Sequence, residues 1–338
     1  MSEAGGDYPH PGWINVFMRL MKLRVIILLQ ITAICAILVH DMLARHGLID
    51  VVRTWQDTFY ASIITIIGGT LSAGGSNSIN MWFDADIDKD MRRTENRPIP
   101  VGHISPTGAL VFGIIIALLG CSIFLLVSLK AAFWSLFSVL FYVLIYTIWL
   151  KRRTPQNIVI GGIAGSTPPL IGWAVAAAEY TNNTNPLDLG SAIPWMLFAL
   201  IFLWTPPHFW ALALYRSGEY AKASVPMMNE VKGAEHTLYQ SKVYCVLLFM
   251  LGSVPCFWPE SGLPLLWAFI AGGLTLWYSA SVWSIDPEEP FDENGRMPKA
   301  AKSFFRSLYY LGLMFLLLVI VSMIPPESLG YFGPLSYD

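Results

Sequence analysis

Residues 80–100 read NMWFDADIDKDMRRTENRPIP, with Asp84, Asp86, Asp88 and Asp90 alternating and Arg92, Arg93 and Arg97 following. On a helix, Asn80, Asp84 and Asp88 stand at i, i+4 and i+8 and carry their oxygens along one face. Hard oxygen ligands of this kind suit Mg²⁺, above all where substrate phosphates complete the coordination. The arginines fit the same chemistry, because a planar guanidinium grips phosphate through two hydrogen bonds. If a diphosphate is the leaving group, metal and cations stabilise the charge that develops as its C–O bond breaks. Two other readings compete. The stretch could be a solvated juxtamembrane loop. It also imitates a calcium-binding loop beginning at Asp84, but the sixth position, which turns sharply and is glycine in that motif, is Lys89 here. No G-x-x-x-x-G-K-[ST] string occurs, which argues against an NTP hydrolysed on a phosphate-binding loop.

Two further stretches carry polar groups beside apolar runs. Leu203–Gly233 places His208, Leu212 and Arg216 at i, i+4 and i+8, and Glu219 and Lys222 follow. A lone histidine in an apolar segment is commonly a packed one, but His208 lies between Pro207 and aromatic residues at membrane depth, where ionisable groups tend to be functional. Tyr146–Gly162 carries Lys151, Arg152 and Arg153, then Asn157 and Gly161-Gly162. These charges serve topology by themselves and a site only in combination with the other two regions.

The elements that must position these groups are membrane helices. Of 338 residues, 55% are hydrophobic and 13% charged, about half the charge of a soluble domain. Apolar runs near 25–43, 59–79, 108–128, 131–150, 158–178, 192–214, 242–258, 263–284 and 304–324 have the length of bilayer-crossing helices. The expectation is an all-α polytopic protein of nine transmembrane helices around a central cavity. Residues 1–14 form a flexible tail, 15–325 one membrane domain and 326–338 a C-terminal tail. Eighteen lysines and arginines fall on one side of that arrangement, and only Arg45, Arg53 and Lys130 on the other. The N-terminus and the loops after spans two, four, six and eight therefore face the cytoplasm, and the C-terminus faces outward. Cys35, Cys121, Cys245 and Cys256 lie in apolar runs without ligand spacing and read as buried thiols. The first 14 residues lack the marks of a signal or transit peptide, which favours a bacterial inner membrane over a mitochondrial one.

The N-x-x-x-D-x-x-x-D signature at Asn80–Asp88 resembles the first motif of the UbiA-type intramembrane prenyltransferase superfamily. The strings R-T-P-Q-N-I-V-I-G-G from Arg153 and P-P-H-F-W-A-L-A from Pro206 resemble, more narrowly, its heme-farnesylating branch. With MRLMKLRVIILLQITA near the start, the resemblance covers roughly residues 15 to 325. It implies a transfer of farnesyl from farnesyl diphosphate to a vinyl group of heme B, with water added, giving heme O. Asn80, Asp84 and Asp88 would hold Mg²⁺, and Asp84, Asp88, Arg97 and Lys151 would be catalytic. Arg24, Arg93, Arg97, Lys151 and Arg152 would bind diphosphate, and His208, Arg216, Glu219 and Lys222 would face heme. The lipid bilayer, heme A synthase and oxidase assembly factors are the implied partners, and no nucleic acid is expected.

Three departures stand out: K-L-R at 22–24 for the family's K-P-R, Glu219 where the family has Asp, and M-M-N-E-V at 227–231 for M-L-P-V-V. The aspartate-rich second motif of aromatic-acceptor members is missing after span six, which suits an acceptor bearing propionates and iron. The competing functions are prenylation of a small aromatic acid in quinone synthesis, and a transporter or scaffold.

Overall fold

The computed structural model describes residues 11–91, 94–178, 184–216, 225–253, 263–293 and 296–325, and among them every regular element is helical. In chain order these are α1 (Trp13–Met21), α2 (Leu23–Arg45), α3 (Trp55–Phe83), α4 (Pro106–Leu125), α5 (Leu129–Leu140), α6 (Asn157–Ser166), α7 (Pro168–Ala176) and α8 (Ile193–Tyr215). Then come α9 (Met228–Ser253), α10 (Leu265–Trp283) and α11 (Pro298–Ser322). Starts follow capping chemistry. Thr54 and Asp57 form a reciprocal capping box ahead of α3, and Ser105 caps α4 with Pro106 in its first turn.

Eight spans among the described residues are long and apolar enough to cross a membrane, with α5 continuing to Leu150 and α6 and α7 forming one span. The segment expected at 242–258 differs. Its described part belongs to α9, a more polar helix broken at Gly233, where φ is +82°. α9 nonetheless packs along α8 and α10 as the neighbouring spans do. The chain is therefore a multi-pass membrane protein, and broad exposed apolar faces such as Ile115, Leu118 and Leu119 on α4 suit contact with lipid.

Sequence neighbours pack side by side, and α11 returns to α2 to close the bundle. α3 and α4 approach closely, since a Cβ on Gly75 would meet the Gly113 carbonyl and one on Gly120 would meet Ser72 N, and α7 approaches α2 as closely where Gly172 faces the Ala33 carbonyl. The core is rich in large aromatics, with Trp173, Trp210, Trp267, Tyr278 and Tyr310 fully buried. Cys35, Cys121 and Cys245 are buried free thiols, as expected, and Cys256 lies outside the described residues.

Candidate active site

α3 ends at Phe83, so Asp84 is its C-cap and Asp88 lies beyond the helix proper. The helical spacing nevertheless persists for one more turn. Asp88 N donates to Asp84 O at 2.9 Å, and a short 3₁₀ turn runs from Asp88 to Asp90. Thr94 Oγ1 donates to Asp88 O at 2.9 Å and folds the following loop back toward it. Asn80, Asp84 and Asp88 are thereby brought together, and they are only 3%, 0% and 2% exposed.

Cations close in from three elements. Lys151 Nζ donates to Asp84 Oδ2 at 2.5 Å, and Asn80 Nδ2 reaches the same oxygen at 2.9 Å. Arg97 Nη1 bridges both oxygens of Asp88 at 2.8 and 2.7 Å. Arg152 makes two 2.7 Å bonds to Asp86, lies over the Phe83 ring and stands 4.0 Å from Asp84 Oδ1. Lys151 gets there through an irregular wind, because Phe141–Leu150 continues α5 as a π-helix. The wider turn brings Thr147 Oγ1 within 3.1 Å of Asn80 Nδ2; such bulges often mark functional sites.

The remaining cation is one the sequence reading assigned to topology alone. Lys22 joins α1 to α2 in a left-handed conformation (φ 55°, ψ 51°) and donates from Nζ to Asn80 Oδ1 at 2.7 Å. Asn77 Nδ2 donates to Met21 O at 2.9 Å and fixes this corner against α3. Arg24, expected at the diphosphate, is exposed on the first turn of α2. A basic residue two positions from an expected one was the only available signal, since helix periodicity does not register a left-handed corner. Arg93 lies outside the described residues.

Burial sets the electrostatics. Desolvation pushes the Asp88 carboxyl above its ordinary range even against the pull of Arg97. Desolvation, then the nearby Arg97 and Lys151 charges, pushes Lys22 well below the ordinary lysine range. Lys151 is lowered by burial as well, though Asp84 pulls it back. Exposed Asp86 is held down by its hydrogen bonds from Arg152. Buried amines of this kind gain stability as cations when an anion arrives.

The donor set fits a hard divalent ion. No group of three His, Cys, Asp or Glu is placed to hold a metal among the described residues, so the ligands here are two carboxylates and an amide. Asp84 Oδ1 is buried and accepts no hydrogen bond, which leaves an oxygen available in a place where an unsatisfied one is costly.

The three chemistry-bearing stretches converge below this cluster. Met91, Ile158, Ala213, Val225 and Met227 share one apolar core with Ile87, Tyr146 and Phe209 packed on it. Asn157 Nδ2 donates to Pro226 O at 3.2 Å, across the same seam. Deeper in the bundle a cavity of about 60 Å³ is bounded by Leu29, Ser76, Phe124, Val139 and Ile171 among others.

His208 sits between α8 and α11, with Trp204 stacked on it at 4.2 Å and Phe304 at 4.7 Å. Its Nδ1 is 2.6 Å from Ser307 Oγ, and that hydroxyl donates its own hydrogen to Phe304 O. Nδ1 must therefore carry the imidazole proton, and Nε2, which makes no hydrogen bond, keeps its lone pair. Arg216 caps α8, while Glu219 and Lys222 lie outside the described residues.

The chain belongs to the UbiA prenyltransferase family, whose model matches residues 33–309. At the level of single proteins it is similar to the protoheme IX farnesyltransferase of Bartonella tribocorum, 39% identical over 96% of each chain. It is likewise similar to that of Parvibaculum lavamentivorans, 41% identical over 91% of this chain and 89% of that one. Its fold matches a UbiA homolog from Archaeoglobus fulgidus bound to GPP and Mg²⁺, with TM-score 0.58 and 13% identity over 90% of this chain and all of that one.

Proposed function

We propose that this chain transfers the farnesyl group of farnesyl diphosphate to a vinyl group of heme B and adds water, giving heme O and diphosphate. The carrying observation is the buried cluster at the end of α3, where Lys22, Lys151 and Arg97 surround Asn80, Asp84 and Asp88. Three cations against two carboxylates leave one positive charge for an anion, and the Arg152–Asp86 pair leaves that balance unchanged. Mg²⁺ bound by Asn80, Asp84 and Asp88 would supply Lewis-acid stabilisation of the departing diphosphate. Lys151 and Arg97, released from Asp84 and Asp88, and Lys22, released from the Asn80 amide oxygen, would then bind phosphate oxygens beside Arg152, and Arg93 is proposed for the same role.

The C–O bond of the substrate breaks with its electron pair on diphosphate, leaving an allylic cation. The vinyl π pair of heme B forms the new C–C bond, and positive charge passes to the carbon beside the pyrrole. Water adds there and loses a proton, which completes the hydroxyethylfarnesyl group. The apolar walls beneath the cluster keep water from the allylic cation, whose early quenching would give farnesol.

His208 would contact heme through Nε2, as ligand or orienting group, its ring held between Trp204 and Phe304. Arg216, Glu219 and Lys222 are proposed to face the heme substrate. The site faces the cytoplasm of a bacterial inner membrane, with nine spans and the C-terminus outside, following the lysine and arginine distribution.

The test is purified protein with heme B, farnesyl diphosphate and Mg²⁺, analysed by mass. The expected product is heme B plus one farnesyl group and the elements of water, absent when EDTA replaces Mg²⁺. Unmodified heme B, with 4-hydroxybenzoate prenylated in a parallel reaction, would overturn the assignment in favour of an aromatic acceptor.

A further inference from the structure

Two elements run side by side up to the candidate site, and their side chains pair in parallel register. Asn80 of α3 meets Thr147 of the π-helical segment Phe141–Leu150, with Nδ2 to Oγ1 at 3.1 Å. Four residues further along both elements, Asp84 meets Lys151, and Asp86 then meets Arg152. The wide π-turn, in which Lys151 N donates to Tyr146 O five residues back at 2.9 Å, keeps Thr147 and Lys151 together on the α3 side. Lys151 and Arg152 bring charge to the cluster. Thr147 brings none and is fully buried, so its hydroxyl can act only through Asn80.

The amide of Asn80 is engaged at both ends. Nδ2 donates to Asp84 Oδ2 at 2.9 Å and to Thr147 Oγ1, while Oδ1 accepts from Lys22 Nζ at 2.7 Å. An ammonium only donates and a carboxylate only accepts, so the nitrogen and oxygen of this amide cannot be exchanged. Under the proposed function, Lys22 and Asp84 change partners when substrate binds. Thr147 alone keeps its own.

We propose that Thr147 is a positioning residue, whose hydroxyl holds the Asn80 amide with Oδ1 presented to the divalent cation. The inference rests on the assignment of Mg²⁺ to Asn80, Asp84 and Asp88. The terminal torsion of asparagine is soft and roughly two-fold. Without the anchor, the amide can turn over and present its NH₂ group, which repels a cation. Loss of the acceptor also leaves a buried N–H unpaired, an arrangement costly in itself. The hydroxyl thus does for this amide what a carboxylate or carbonyl behind a ligating histidine does for its ring, by fixing which atom faces the metal.

The test uses full-length protein in detergent micelles, stripped of metal and free of heme and prenyl substrate, titrated with Mn²⁺ while the free ion is followed by EPR. Thr147→Val keeps the shape and removes the acceptor, and Mn²⁺ binds about tenfold to hundredfold more weakly, as when a partner behind a metal ligand is lost. Thr147→Ser, which keeps the hydroxyl and loses the methyl, binds as wild type does. A role in packing alone reverses that order. In an Asn80→Ala background, where no amide remains to be held, Thr147→Val causes no further loss. Thr147→Ala takes the place of Thr147→Val should the latter not fold. Thr147→Val binding Mn²⁺ as wild type does, Thr147→Ser losing as much as Thr147→Val, or a further loss in the Asn80→Ala background overturns the proposal. Asp84→Asn distinguishes this failure from failure of the metal site. If that variant also binds Mn²⁺ as wild type does, or wild type binds none, the metal assignment falls and this inference with it.

Discussion

Replacing Lys151 with methionine separates metal binding from diphosphate binding at one carboxylate. Lys151 Nζ is 2.5 Å from Asp84 Oδ2, the lysine side chain is 18% exposed and the aspartate side chain 0%. Removing one partner of a buried pair typically costs about 3–5 kcal/mol, because the other charge is left uncompensated. Here Asn80 Nδ2 remains at 2.9 Å and Arg152 at 4.0 Å, which places the loss near the lower end. A divalent cation on Asp84 recovers part of that loss. If about 1.4–2.8 kcal/mol is recovered, Mg²⁺ binds Lys151→Met tenfold to a hundredfold more tightly than wild type. Turnover moves the other way, falling by a factor of about 10²–10³, as when a charge-stabilising group is removed from a reacting centre. The assay pairs a Mn²⁺ or Mg²⁺ titration, followed through thermal unfolding in micelles, with heme O formation by mass. Weaker metal binding in the variant, or turnover near wild type, refutes the reasoning that Lys151 and the metal share Asp84.

Other perturbations test neighbouring parts of the site. Arg97→Lys keeps the charge but loses the planar guanidinium that would grip phosphate through two nitrogens, so KM for farnesyl diphosphate rises about tenfold in steady-state kinetics. His208→Ala removes the Nε2 lone pair. The absorbance change on heme binding is lost and KM for heme rises, while KM for farnesyl diphosphate is unaltered. An unchanged heme spectrum would exclude ligation. Gly75→Ala forces α3 from α4, where the new Cβ meets the Gly113 carbonyl. It costs about 1–3 kcal/mol, read as a lower unfolding midpoint.

How much was legible depended on range. The carboxylate face was readable because Asn80, Asp84 and Asp88 are close in sequence and one helical spacing relates them. That spacing survived past the end of α3 only through the Asp88 N to Asp84 O bond. Lys151 and Arg152 read equally well as topogenic charge, and only folding brought them 67 and 66 residues back to Asp84 and Asp86. Lys22 escaped because its role depends on a left-handed corner, and Arg24, its neighbour, took the assignment. Arg53 counted as a basic residue of an outer loop, yet it is buried on Asp41, since hydropathy cannot see a pairing 12 residues away. The seventh span was read from the apolar stretch 242–258, whereas the helix that forms starts much earlier and includes a polar segment around Gly233.

Lys22 is the only non-glycine residue with positive φ among those described. Left-handed backbone costs a side-chain-bearing residue about 1–2 kcal/mol, so a glycine there would make a sturdier chain that has lost an ammonium. The same corner carries α1, whose Trp13 and Ile14 are 58% and 75% exposed on one face while Val16 and Leu20 are buried on the other. α1 therefore has one buried and one exposed apolar face, and it meets α2 at the residue that grips Asn80. That residue is thus also the joint between a short amphipathic helix and the first long span, so the position of the ammonium is tied to how α1 packs.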